Sequence, residues 1–497
     1  MIKYLFRLSI FLSFFTLNSQ TFDDISRYLS YNYEGTSRFN SMGGAFGALG
    51  GEISSIILNP AGSSVFLESE LTFTLNSLDI KTQNSFNNSI NNSHKKFYNL
   101  SQFGIVLVSD IFDSKFSIGY SMNRLNDYNN TYNFKGKNSK GIDNYFLNYA
   151  NGIPLNDLLV YENETLSDAY KYIGDNFGFG SQQAFLGFQS FIINSNEDEN
   201  NYFSNSKYKS VNQELGINRK GDYFIHSINF SSSYSDNLLF GINLNLHSLN
   251  FEEDKKFNES GYSDDSNLNS VIFNERLLSI GQGVSLQFGT LIKIKDLRLG
   301  ISYTSPSFLE IHEENSQLIE TKVKIDNEIK TLLIEPNVIN VYEPYKLKIP
   351  SKKLFSIAYV FGRRGLISFD YEHTDYNNAK IKDNNGEDSY LNSLNKLIKD
   401  KLNSNSNIYR LGTEYRFQKY SLRGGLYIYE GPSIKSKKYF SGVTSGIGVN
   451  FGYFNLDIGI SFSDKINYNS IYSEGLTDSY SIKSKLVNIL TSLTFKL

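Results

Sequence analysis

Apolar and polar residues alternate with a period of two over most of the chain, the mark of strands with one apolar and one polar face. In the last segment Val487, Ile489, Thr491, Leu493, Phe495 and Leu497 fall on one face. Asn488, Ser492, Thr494 and Lys496 fall on the other, with Leu490 out of phase. Phe116, Ile118, Tyr120 and Met122 alternate with Ser117, Gly119, Ser121 and Asn123, and Phe240, Ile242, Leu244 and Leu246 with Gly241, Asn243, Asn245 and His247. Val284 to Ile292 runs in the same way against Ser285, Gln287 and Gly289, and after Lys295-Asp296 the pattern resumes at Leu297, Leu299, Ile301 and Tyr303. Tyr409, Leu411, Thr413, Tyr415 and Phe417 face away from Arg410, Glu414 and Arg416.

The connections between these strands fall into two classes. Short ones lie at 110–114, 235–237, 295–296, 363–365, 418–419 and 452–455. Long, Asn/Asp/Ser-rich ones lie at 82–95, 127–219, 253–275, 313–351, 377–404, 431–439 and 467–481. Short and long alternate throughout. Six turns and seven loops join fourteen strands, an even number, which predicts an all-β fold: a 14-stranded antiparallel transmembrane β-barrel with short turns on the periplasmic side and long loops outside. A soluble all-β protein also alternates, but carries no such dichotomy of connections.

The start of the chain reads as an export signal. Lys3 and Arg7 precede the apolar run Leu8–Leu17, and Ser19 supplies a small residue at the cut, which predicts a signal peptide over 1–19. That run is too short for a membrane helix, and later apolar stretches such as Phe103–Val108 are strand-sized. Composition agrees with a barrel in the outer membrane of a Gram-negative bacterium: 35 Tyr, 39 Phe and 37 Gly against 7 Pro in 497 residues, with a mean hydropathy of -0.34. With no cysteine, disulfides, thiolate metal sites and cysteine nucleophiles are excluded. The net charge of -3, about -5 without Lys3 and Arg7, gives no electrostatic support for nucleic-acid binding.

Residues 20–68 carry no strand pattern. Phe22–Leu29 predicts a short helix, followed by the glycine-rich Met42–Gly51 and the turn Asn59-Pro60-Ala61. A fourteen-stranded barrel is too wide for wall side chains alone to fill. This segment of small residues is therefore expected as an N-terminal hatch, or plug, inside the lumen, with 69–497 forming the barrel. Gly44, Gly47 and Gly50 are spaced as in nucleotide-binding loops but lack the strand before and the helix after that such a loop needs.

These residues resemble the FadL-type long-chain fatty-acid transporters of the outer membrane. The likeness rests on Gly43-Gly44-Ala45 and Asn59-Pro60-Ala61, then on Leu299–Pro306, Ile408–Gly412, Leu422–Gly425 and Glu430-Gly431-Pro432, in that order along the chain. The resemblance implies a plugged fourteen-stranded barrel for passive uptake of hydrophobic small molecules such as long-chain fatty acids, with capture by the outer loops and lateral release past the hatch. It further implies a gating role for Gly43, Gly44, Asn59, Pro60 and Ala61. The expected partners are a hydrophobic ligand, outer-membrane lipid and, during biogenesis, the barrel-assembly machinery; the chain is expected to act as a monomer without a cofactor. The 127–219 loop has no counterpart in the family pattern.

Two groups are candidate ligand contacts. In the 127–219 loop Phe177, Phe179, Phe185, Leu186, Phe188 and Phe191, with Ile192 and Ile193, form an apolar cluster that either captures a greasy ligand or makes the loop's own core. By alternation Arg298, Arg410, Arg416 and Arg423 point into the lumen with Glu414 and Asp370; of these, Arg298, Arg410 and Arg423 are candidates to bind a ligand carboxylate, the competing role being to pair with lumenal acids or to anchor the plug. Histidines are scattered, so neither a metal site nor a Ser-His-acid set is expected, and the chain does not read as an enzyme. His94 and His312 are the positions a haem receptor would use, and a surface-binding or adhesive barrel is the competing function. Asp383–Asp388 reads as a solvated turn, its glycine misplaced for a calcium loop.

Overall fold

The computed structural model describes residues 22–29, 33–111, 114–195, 200–383, 389–434 and 440–497. The expected export signal and residues 384–388 of the acidic turn lie outside them. Fourteen antiparallel strands form the wall: β1 (Glu70–Phe86), β2 (Ser89–Ile111), β3 (Ser114–Asp127), β4 (Val211–Ser235), β5 (Leu238–Ser260), β6 (Leu268–Ile294), β7 (Leu297–Thr304), β8 (Lys352–Phe361), β9 (Gly365–Thr374), β10 (Ser406–Phe417), β11 (Tyr420–Tyr429), β12 (Phe440–Asn450), β13 (Phe454–Ser470) and β14 (Ser479–Lys496). Each pairs with its neighbours in chain order, and β14 returns to β1 from Glu70↔Lys496 to Phe86↔Tyr480. The pairing of β14 with β1 closes the ring. Among the described residues no helix is long and apolar enough to cross a membrane.

Alternation assigns the two faces as expected near the short-turn rim. On β5 Phe240, Ile242, Leu244 and Leu246 are exposed on the outside while Asn243, Asn245 and His247 are buried inside. The strands are longer than the pattern predicts. β4, β5 and β6 run for 25, 23 and 27 residues, where a tilted membrane strand needs about 9–11. Residues 82–95 are not a loop: β1 and β2 stay paired up to Phe86↔Ser89 and join through Asn87-Asn88, both at positive φ as a tight hairpin requires. Likewise 253–260 pairs with 270–277, 313–325 continues as strand, and 377–404 contains the helix Ser389–Lys401.

The physical reason is a phase flip. On β5 the outward apolar series ends at Leu246, and from Leu249 the apolar residues Leu249, Phe251 and Phe257 point inward while Asn250 and Lys256 are exposed. On β1 the inward residues change from Thr72, Thr74 and Asn76 to Leu78, Ile80 and Phe86. Beyond the apolar belt the wall stands in water and its interior becomes the dry side. From the flip, β5 rises roughly 30 Å further at about 3.3 Å per tilted residue.

The expected helix forms as α1 (Phe22–Leu29), and α2 (Ser37–Ser41) and two 3-10 turns, Ile53–Ile57 and Pro60–Val65, follow it. They lie inside the ring. A methyl group on wall residue Gly300 would stand 2.2 Å from Gly47 O, one on Gly425 2.4 Å from Gly43 N, and one on Gly241 2.3 Å from the Pro60 carbonyl carbon. Wall and segment meet at backbone contact on opposite sides of the barrel, which only glycine permits. At the long-loop end, α3 (Asp143–Ala150), α4 (Leu166–Phe177) and α5 (Phe179–Gln189) fold over the lumen; α6 is Ser389–Lys401.

Candidate functional site

The site is built from the segment that fills the lumen upward. Its backbone carbonyls are met by amide side chains of the wall. Gln287 Nε2 donates to Ile57 O (3.0 Å) and Leu58 O (2.9 Å), Asn243 Nδ2 to Ile56 O (2.8 Å) and Asn229 Nδ2 to Pro60 O (3.0 Å). Asn59 bonds its own turn, Oδ1 accepting from Ala61 N at 3.1 Å, and reaches the wall through Nδ2, which donates to Thr290 O at 3.0 Å. Pro60 opens the second 3-10 turn, where its missing N–H is not needed. Gly43 and Gly44 hold φ of +61° and +77°, a conformation that admits little else. Phe46 N and Gly47 N both donate to Asp370 Oδ2, at 3.1 and 3.0 Å.

Charges add a second tether. Glu414, fully buried, accepts from Arg38 Nε (2.9 Å) and Nη2 (3.3 Å) of the N-terminal segment, and pairs with Arg423 and Arg416 of the wall at 2.6 Å each. Arg298 Nη1 donates to Leu49 O at 2.7 Å, and buried Arg410 pairs with Glu372 at 2.9 Å. All four predicted arginines thus engage lumenal acids or the N-terminal segment.

On the long-loop side of this segment lies a cavity of about 1120 Å³. α1 forms its floor through Phe22, Asp24 and Arg27; Tyr145, Tyr149, Phe179 and Tyr472 border it from the loops. Arg219, Glu253, Lys255 and Glu275 line it from β4, β5 and β6. These positions lie past the phase flip, beyond the apolar belt.

One stretch of wall beside the cavity lacks a backbone ladder. β2 and β3 pair only from Ile111↔Ser114 to Gln102↔Asn123. Further out β2 stays on β1, whereas β3 and its continuation 130–138 stay on β4, with register shifts at Thr74/Leu75 and Arg124/Asn126. Among the described residues only side chains bridge the interval. Arg124 Nη2 donates to Leu100 O (2.9 Å), Asn99 Nδ2 to Asp127 Oδ2 (2.7 Å) and Ser93 Oγ to Thr131 O (3.2 Å). Arg124 also pairs with Asp127 and Asp222, at 3.1 Å each. Glu34 of the N-terminal segment meets this cluster: its N–H donates to Arg124 O at 3.0 Å. Burial pushes the Glu34 carboxyl up to about 7, opposed by Arg124 and reinforced by Asp127 and Asp222. Asn126, Asp127 and Tyr128 line the cavity as well as the interval.

Of the predicted ligand contacts, Phe179 lines the cavity. Phe185 and Leu186 are fully buried with Ile142, Phe146 and Ile192 in a core that the loop shares with inward wall residues such as Phe257 of β5 and Phe273 of β6, and Phe188 packs on that core. Phe177 and Phe191 are partly exposed. Arg298, Arg410 and Arg423 lie below the cavity. His94, partly exposed, pairs with Asp79 at 3.0 Å, and His312 stands 3.5 Å from Glu310. Arg219, Glu253, Lys255 and Tyr472 escaped the sequence reading because they fall in stretches read as loops. The inward alternation of Leu249, Phe251, Glu253, Lys255 and Phe257 was the signal that could have found them.

No family model and no curated protein sequence matches the chain. Solved structures do. A Pseudomonas aeruginosa FadL homologue superposes with a TM-score of 0.56 at 10% identity, over 94% of this chain and 98% of that one. The P. putida toluene transporter TodX gives 0.51 at 13% identity, over 94% and 99%. The chain therefore has the fold of the FadL-type barrels.

Proposed function

We propose that this protein is an outer-membrane channel for passive uptake of small hydrophobic molecules, exported by a signal peptide cleaved after Ser19. Ligand enters from the long-loop side, occupies the cavity, is stopped by the N-terminal segment acting as a hatch, and leaves sideways into lipid between β2 and β3. The observation that carries this reading is the juxtaposition at Asn126–Tyr128, where a cavity closed below by the hatch meets a wall interval held by side chains instead of a ladder. Unpaired backbone is costly in lipid, so such an interval is tolerated only where side chains or a cavity satisfy it. The belt of outward apolar residues supports a membrane setting, and the fold is shared with a toluene transporter.

Purified protein in liposomes provides the test. The expected result is uptake of a fluorescent hydrophobic compound together with no steady ion conductance. Conductance without such uptake would indicate a diffusion pore for polar solutes, and binding without uptake an adhesive barrel.

A further inference from the structure

The cavity has two unlike sides. Along β4, β5 and β6 stand Arg219, Glu253, Lys255 and Glu275, and each cation already holds a carboxylate: Arg219–Glu253 at 2.6 Å and Lys255–Glu275 at 3.3 Å. Arg27 of the floor pairs with Asp24 at 3.0 Å and approaches Glu253 at 3.8 Å. On the other side, α6 and the segment after β11 present Leu397 and Ile434, 39% and 52% exposed, beside Phe22. Apolar side chains left open inside a cavity match an apolar ligand surface. A wall of paired ions matches something else. A hydrocarbon laid against it strips water from charges without replacing the lost hydrogen bonds. On this wall a carboxylate meets cations already held by acids and is repelled by Glu253 and Glu275; on the α6 side Lys401 lies over the Phe22 ring, with Asp400 next to it in the lining. Hydroxyl groups, which both donate and accept, can join the existing pairs without breaking them.

We infer that the cavity selects neutral amphiphiles whose polar end carries hydroxyl groups, with the head on the Arg219–Glu253–Lys255–Glu275 wall and the apolar tail against Phe22, Leu397 and Ile434. This rests on the channel reading above and narrows its ligand away from free fatty acids and pure hydrocarbons.

The test uses the whole protein in lipid nanodiscs and ligands sharing one tail: octyl glucoside, 1-octanol and octanoate at pH 8, with partition into empty discs subtracted. Octyl glucoside and octanol are expected to bind at least about tenfold more tightly than octanoate, since the latter must desolvate a charge without gaining a partner. The paired substitution Lys255→Met with Glu275→Leu is expected to weaken octyl glucoside relative to 1-octanol, because the sugar head loses its hydrogen-bonding wall, and Leu397→Asp to weaken all three ligands, each in protein that keeps the heat-modifiable mobility of a folded barrel. Octanoate binding as tightly as octanol, or a ratio of octyl glucoside to octanol affinity that the paired substitution leaves unchanged, overturns the inference. If none of the three binds while liposomes still take up a fluorescent hydrocarbon, the inference falls and the channel stands. If ions pass and no hydrophobic compound does, the channel reading itself falls.

Discussion

Replacing Glu414 with glutamine is expected to release the hatch. The carboxylate is fully buried and faces three guanidinium groups whose side chains are 19% (Arg38), 5% (Arg423) and 47% (Arg416) exposed. The exposed Arg416 arm contributes little, at most about 1 kcal/mol. Arg423 keeps Asp457 as a second partner. The Arg38 arm is the one that ties the hatch to the wall, through two donors to Glu414, while a third holds Gly51 O at 3.0 Å within the N-terminal segment. Breaking a buried pair from one side costs about 3–5 kcal/mol, and the partial exposure of Arg38 places this case at the lower end, about 3 kcal/mol. At 1.4 kcal/mol per factor of ten, Glu414→Gln multiplies the population with a displaced hatch about a hundredfold. The assay is the frequency of open events in planar bilayers, and the control is a double-mutant cycle with Arg38→Met, because two members of one tether must be non-additive. An unchanged opening frequency, or additive effects of the two substitutions, would refute the tether.

Two further outcomes follow from the same geometry. Phe185→Ala is expected to destabilise the loop core by about 3–5 kcal/mol, seen as faster proteolysis within 139–210, whereas Phe179→Ala at the cavity edge is expected to weaken ligand binding without that change. The Glu34 carboxyl, pushed up to about 7, is neutral in the closed state at low pH, so the stability of its contact falls as pH rises from about 4.5 to 7. Uptake measured across pH 5 to 8 should therefore rise, and Glu34→Gln should flatten the profile.

The closed ring, the strand count and the helical N-terminal segment were legible because a membrane imposes a rule on every strand that crosses it. Apolar residues face lipid at every second position, and Phe240, Ile242, Leu244 and Leu246 spell this out. The cavity was not legible because its residues obey the inverted rule. Glu253 and Lys255 sit among Leu249, Phe251 and Phe257, whose inward phase is the opposite of the one that defined the strands, so the stretch read as a polar loop. The Phe177–Phe191 cluster drew attention for its aromatic area, yet a loop of that length must bury a core of its own before it can offer a surface, and Phe185 and Leu186 serve that need. Alternation places the arginines on the inner face but cannot give height, and below the cavity Arg298 meets the N-terminal segment while Arg410 and Arg423 pair with carboxylates of the wall.

Height also decides where a ligand can leave. Through the ladder, Arg124 stands opposite Phe224 and Phe224 opposite Ser248, and Ser248 follows Leu246, the last outward apolar residue of β5 before the flip. The unpaired interval of β2 and β3 thus begins at the outer margin of the apolar belt, the one level at which a cavity standing above the membrane can open into it. Arg124 reaches across that interval to Leu100 O, while its pairs with Asp127 of β3 itself and Asp222 of β4, of which the Asp127 pair is deeply buried, hold the guanidinium in place. Arg124→Met removes all three links and leaves Asp127 with the neutral donors Asn99 and Asn129. The loss of the one cross-interval bond with a charged donor is worth about 1.5–3 kcal/mol, which favours an open interval roughly ten- to a hundredfold. Because no hatch tether is touched, uptake of the fluorescent compound is expected to rise, by at most that factor, while ion conductance stays closed, the reverse of what Glu414→Gln produces. If Arg124→Met instead opens the bilayer to ions, or leaves uptake where it was, the exit does not lie between β2 and β3.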